Sequence, residues 1–399
     1  MLNKMRLPDR IRQIVYVLIF FAFLVSLAYI LKILFSPSYF DFRYYYNSLQ
    51  ALIHGGNPYN SSKFPLFYYP PAAILFLFPF VILPLVISEK IYIIFSFLCL
   101  FLSIKMLFKI FQIPMRSWLS IFLMILIFNF FPLKFTLVMG QINTVIFLLL
   151  TFFIYCYKNN RQYLSGIALA TALSLKIFPI LLMPYLMINK QWKILISMLL
   201  TLIFISGAVY IAFPKNVTSA FFTNTIPSIL QTGGGTYYYD QSLFAFINRT
   251  LNNQIPIQLT RAISIAILIA TYIILWLYGR FKSSNLLSMS SLMILNLILN
   301  GYAEQHHFMW LIIPLFVTFF YVRNRRLSNW LYAILGLSYL SMAVNLKNPV
   351  IFPVPFQSHV LYGAILLYVL LMYLIVFQSD KPIKNNNCRK SKSATKSSQ

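Results

Sequence analysis

Residues 39–69 read YFDFRYYYNSLQALIHGGNPYNSSKFPLFYY. Phe42, Tyr45, Tyr46, Leu49, Leu52 and Ile53 recur at the 3.6-residue period while Arg43, Asn47, Gln50 and His54 take the opposite face, which is the pattern of an amphipathic helix. Asp41 stands where an N-cap belongs, and Gly55-Gly56 supply the stop. A helix of this kind lies in a membrane interface. The stretch therefore predicts an all-α polytopic membrane protein whose first outer loop carries a carboxylate on an aromatic helix.

The rest of the chain agrees. Of 399 residues, 60% are hydrophobic and only 10% charged, and apolar runs of about 17 to 25 residues, enough to cross a bilayer, recur along the whole length. No stretch is left for a separate soluble catalytic domain, so residues 1–380 are expected to form one transmembrane unit of about 10–13 membrane segments. The run Ile14–Leu34 reads as an uncleaved anchor. Full spans are expected to begin near residues 14, 90, 117, 140, 193, 258, 284, 306, 328 and 357. Two apolar segments are expected to turn back without crossing: Pro70–Val86, with Pro79 and Pro84, and Ser165–Ile188, broken at Lys176 and Pro179. Irregular backbone at membrane depth survives only where protein or a water-filled cavity covers it.

Lys and Arg concentrate in loops that stay in the cytoplasm, which places both termini inside a cell (inner or plasma) membrane and puts residues 36–69 and 214–257 outside. Residues 381–399 read as a disordered basic tail able to touch anionic lipid. The formal charge of +26 does not point to nucleic acid, because no folded basic surface is in view. Cys99, Cys156 and Cys388 have no evident partners, so no disulfide is expected.

Only six residues are acidic, which makes Asp41 the leading catalytic candidate, a carboxylate able to take a proton from an incoming hydroxyl. In the second outer stretch, TGGGTYYYDQSLFAFINR (232–249) gathers Asp240 and Gln241 as substrate-binding candidates and Arg249 as a phosphate candidate. A third cluster, Asn300 to His307, holds Glu304, His306 and His307. Lys176 is the one lysine deep in an apolar stretch, a functional position by default, and phosphate is the obvious anion for it. Arg43, Tyr45, Tyr69, Gln141 and Asn143 complete the substrate-binding candidates. No metal or other cofactor is expected, because acidic ligands are scarce and no Cys or spaced His stands near the His pair.

Asp41 before a helix ending GGNPY (55–59), then YYPP (68–71), GQIN (140–143) and LSGIALATALSLKIFPILLMPYLMINKQW (164–192) together resemble the polyprenol-phosphate-mannose-dependent mannosyltransferases of glycosyltransferase family 87, in the GT-C superfamily. The resemblance covers about residues 30–310. It implies a GT-C-type helical fold, a polyprenyl-phosphate-sugar donor, a glycolipid or glycan acceptor and direct displacement with inversion. It also implies Asp41 as base, with Lys176, Arg249, His306 or His307 receiving the phosphate charge. The competing reading is a transporter or flippase, since broken helices and an intramembrane lysine also mark substrate pathways.

Overall fold

The computed structural model describes residues 9–231, 235–279 and 285–378. The basic groups Lys4, Arg6, Arg280 and Lys282, the glycines 233 and 234 and the tail from 381 lie outside these. Among the described residues every regular element is a helix, and there is no strand.

Helix α1 (Asp9–Leu31) runs into a tight turn, Lys32–Phe35, and the chain then breaks at residues 36–39 before α2 (Phe40–Ile53). Pro37 causes the break, having no N–H to donate and disfavouring helix in the residue before it. At about 1.5 Å per residue α1 alone matches a bilayer, so α2 lies beyond the span, as its amphipathic pattern requires. α3 (Pro71–Val81) follows, then α4 (Leu85–Ile110). Both ends of α3 return to α2: Tyr69 Oη lies 2.8 Å from Tyr45 Oη, and Tyr46 Oη donates to the Leu83 carbonyl at 2.9 Å. The segment Pro70–Val86 thus turns back as expected.

α5 (Trp118–Asn129) and α6 (Phe131–Met139) meet at a 58° bend, set where Pro132 removes a backbone donor. α7 (Asn143–Lys158) and α8 (Gln162–Leu175) form an antiparallel hairpin, and α8 stops at Lys176, whose backbone is extended. The chain then returns through Phe178–Leu181 and α9 (Leu182–Ile188). Polar contacts fix the direction of this excursion. Lys176 Nζ donates to Asn143 Oδ1 at the start of α7, 3.0 Å away, whereas Tyr185 on α9 bonds Asn285, which bonds Tyr157 at the end of α7. The segment therefore enters, reaches the α2 end of the bundle at Lys176 and goes back, a re-entrant hairpin.

Beyond it lie α10 (Trp192–Ala212), the short α11 (Lys215–Ala220), α12 (Ile226–Gln231) and α13 (Leu243–Thr250), then α14 (Ile257–Tyr278), α15 (Asn285–Ile298), α16 (Ile312–Arg325), α17 (Asn329–Ala343) and α18 (His359–Gln378). α8 and α10 touch closely at Gly166, where a Cβ would lie 1.9 Å from Ser197 Oγ, the small-residue contact that lets membrane helices approach. On the outside, Phe204 and Ile211 of α10 are 77% and 86% exposed, an apolar face suited to lipid.

The expectation of ten full spans is not met by length. Among the described residues six helical stretches are long and apolar enough to cross, or seven with the bent α5–α6 pair, and five shorter apolar helices of 10–17 residues accompany them. The difference comes from breaks at Pro132 and Lys176 and from compact helices such as α7 and α15, whose polar ends stop them early.

Candidate active site

Five segments converge at the α2 end: the first turn of α2, Tyr69 before α3, the α6–α7 turn, the tip of the re-entrant hairpin, and residues 302–310 before α16. Gln141 connects the first three. Its amide nitrogen donates to Asp41 Oδ2, and its amide oxygen accepts from Tyr45 Oη at 2.6 Å and Tyr69 Oη at 3.1 Å. Asp41 therefore faces inward, held by a side chain from a distant part of the sequence.

Asp41 is not the cap of its helix. Tyr39 occupies the N-cap position without a side-chain bond, and its N–H donates instead to Glu89 Oε1 on α4, 3.2 Å away. Arg43 is turned to the same carboxylate, Nε to Oε1 at 2.6 Å and Nη2 to Oε2 at 3.2 Å. The first turn of α2 thus borrows its anion from another segment, which leaves Asp41 free for Gln141 and leaves Arg43 in an ion pair rather than in the cluster.

The α6–α7 turn can sit this close only because residue 140 is glycine. Gly140 has φ +68°, and a Cβ there would lie 2.8 Å from Tyr39 Cβ and 3.0 Å from Phe42 Cβ. Gly140→Ala adds a left-handed backbone cost of about 1–2 kcal/mol to that overlap. We expect α2 to be displaced from Gln141 and any reaction that uses Asp41 to slow at least about tenfold, with the protein still extracted as a monodisperse species. Activity assays on purified Gly140→Ala check this.

Beside the Tyr69 ring stands Lys176. Lys176 is 6% exposed, its ammonium bonded to Asn143 and set over the rings of Tyr69 and Phe178, each 5.2 Å away, and of Trp310 at 5.7 Å. Three aromatic faces and one amide oxygen hold the charge in place. Asn143 is itself fixed, its amide nitrogen donating to the His306 carbonyl at 3.3 Å and its own carbonyl accepting from Trp310 Nε1 at 3.2 Å. The His306 carbonyl also accepts from Thr136 on α6 at 2.9 Å.

The third cluster closes the site. His306 Nδ1 lies 3.0 Å from Glu304 Oε2, while Glu304 Oε1 accepts from Tyr302 at 2.6 Å and Tyr237 at 2.8 Å. His307 packs its ring on Phe178 at 4.8 Å and on His306 at 4.2 Å. Burial pushes Asp41 above the usual carboxylate range; His306, Gln141 and Lys176 oppose this and Glu304 adds to it. For Glu304 burial also acts upward, but His306 and the two tyrosine hydroxyls outweigh it and bring the carboxyl down to about 2. The two carboxylates are thus driven apart in proton affinity, with the higher on Asp41, the one bonded to Gln141.

The remaining candidates build the loop rather than the cluster. Asp240 is fully buried, accepting backbone N–H from Ser242 at 3.0 Å, Gly235 at 2.9 Å and Ala303 at 3.2 Å, and burial raises its proton affinity against those bonds. Gln241 Nε2 donates to the carbonyls of Tyr238 and Gln357. Arg249 directs Nη1 to the carbonyls of Tyr237 and Asp240 and Nη2 to Ser358 Oγ, so its guanidinium ties down the loop and is not brought to Lys176. Sequence reading missed Glu89, Tyr237, Tyr302 and Trp310. Tyr237 stands in the run 237–239 and Tyr302 stands alone two residues before Glu304, and nothing local showed that both turn towards Glu304.

Fold and site together define a polytopic membrane protein with an inward carboxylate and a caged ammonium at one end of its bundle. Glycosyltransferase family 87 matches residues 67–300, more than half of the chain. The chain belongs to that family. Asp41 precedes the matched segment and Glu304 follows it. An alpha-(1->3)-arabinofuranosyltransferase of Mycobacterium tuberculosis is 28% identical over 216 residues, 50% of this chain and 49% of that protein. One from Corynebacterium glutamicum is 25% identical over 198 residues, 48% and 46% of the two. The chain thus spans about half the length of the curated relatives it matches. Among solved structures, ArnT from Cupriavidus metallidurans bound to undecaprenyl phosphate superposes with a TM-score of 0.45 at 13% identity, over 88% of this chain and 77% of that one.

Proposed function

We propose that the protein is a membrane glycosyltransferase that moves a sugar from a polyprenyl-phosphate donor to a hydroxyl of a glycolipid or glycan acceptor, with Asp41 as general base. The observation that carries this reading is the connection from Asp41 through Gln141 to Tyr69, whose ring lies 5.2 Å from the ammonium of Lys176. Asp41 takes the proton of the attacking hydroxyl, whose oxygen bonds to the anomeric carbon as that carbon's bond to the phosphate oxygen breaks. The configuration inverts. Lys176 and His307 receive the charge that grows on the departing phosphate, where fixed donors contribute most. Lys176 supplies the positive charge and the neutral His307 a hydrogen-bond donor, so the step as proposed uses no metal.

The names of the relatives support a pentofuranosyl donor over mannose. The experiment is transfer of radiolabel from polyprenyl-phosphate-arabinofuranose, with the mannose donor alongside, into the lipid fraction of membranes carrying the protein. Product with the pentose donor supports the reading. No transfer with either donor, together with solute movement across vesicles, would establish the transporter instead.

A further inference from the structure

The break between α1 and α2 leaves two sets of unsatisfied backbone groups: carbonyls at the end of Lys32–Phe35 and N–H groups at the start of α2. Two consecutive residues of α4 meet both. Lys90 Nζ donates to the carbonyls of Ser36 at 2.7 Å and Leu34 at 3.3 Å and lies 5.4 Å from the Tyr39 ring centroid. Glu89 Oε1 accepts the Tyr39 N–H and both Glu89 oxygens take the Arg43 guanidinium. The signs match the helix ends: a cation on the carbonyl end, an anion on the N–H end. The Glu89 side chain is 2% exposed, and a carboxylate so buried is retained only when its partners are in place.

We propose that Glu89 and Lys90 act as a splint across this break and that Glu89 is a positioning residue for Asp41, two residues after the N–H it holds. Glu89 touches no reacting atom. It fixes the first turn of α2 from one side while Gly140 fixes it from the other, so the Asp41 carboxylate meets Gln141 at a set distance. This rests on the reading of Asp41 as the base.

Glu89→Gln keeps the shape and removes the charge. In the purified full-length protein it is expected to lower kcat by about 10- to 100-fold, since small misplacements of a catalytic group are costly, with donor KM changed less than about twofold. In an Asp41→Asn background the same substitution is expected to have no further effect. Lys90→Met gives a smaller loss of the same kind. An equal loss in the Asp41→Asn background, or a raised KM with unchanged kcat, would overturn the proposal.

A readout independent of transfer separates this from the functional reading. In the double variant Asp41→Cys with Gln141→Cys, oxidative cross-linking reports how α2 sits. Adding Glu89→Gln should slow that cross-link at least threefold, and an unchanged rate would overturn the splint even if the enzyme proves to use another base.

Discussion

Asp41→Asn is expected to lower kcat by about 10² to 10⁴-fold, the range a lost general base usually costs. Asparagine keeps a carbonyl oxygen that can accept the Gln141 amide, so the packing of α2 against the α6–α7 turn is preserved and donor KM stays within about twofold. The variant therefore separates chemistry from folding. Burial holds the Asp41 carboxyl above the usual carboxylate range, so the base form is lost as pH falls through that raised value. The wild-type kcat profile should show an acid limb lying above ordinary carboxylate titration, and the residual rate of Asp41→Asn should lack it. Radiolabel transfer measured from acid to neutral pH checks both. Full activity in the variant would remove Asp41 from its role.

Lys176→Met is expected to reduce kcat/KM for the donor by about 10² to 10³-fold, comparable to losing one preorganised donor at a developing anion. Methionine fills the space among Tyr69, Phe178 and Trp310, so the loss reports the charge rather than a cavity. Inhibition by free polyprenyl phosphate should weaken in parallel, because that product carries the negative charge the ammonium meets. A loss of transfer without a change in product inhibition would place Lys176 elsewhere in the cycle. Lys176→Arg should retain part of the activity, limited by the poorer fit of a planar guanidinium within three rings.

The membrane class, the helix 40–53 and the interruption at Lys176 were legible from the chain because each has a local signature: periodicity, apolar length, a charge or proline inside a run. The re-entrant path followed from the same marks. What was not legible is pairing across the sequence. Asp41 and Gln141 are 100 residues apart, and only folding shows that the acceptor on α2 meets a donor in GQIN. The partners of Arg43 and Arg249 were not legible for the same reason. Each guanidinium finds its partners in another segment, Glu89 for the first and the carbonyls of Tyr237 and Asp240 for the second. A carboxylate reads as a cap or a base from its position alone, and the choice between them depends on Glu89, which no local pattern connects to α2.

The arm that lifts Lys176 is 14 residues of α8, anchored at its far end where Ser165 Oγ donates to the Phe153 carbonyl and the Tyr163 carbonyl accepts from Ser197 Oγ. Helix geometry makes the tip sensitive to number as well as to kind. One added residue would raise the tip by about 1.5 Å and swing it by roughly 100°, carrying the ammonium off its aromatic walls although no side chain of the cluster had changed. The number of residues in the arm is therefore as constrained as the close contact at Gly166, and the distance from the turn at Arg161 to Lys176 works as a ruler for the height of the charge.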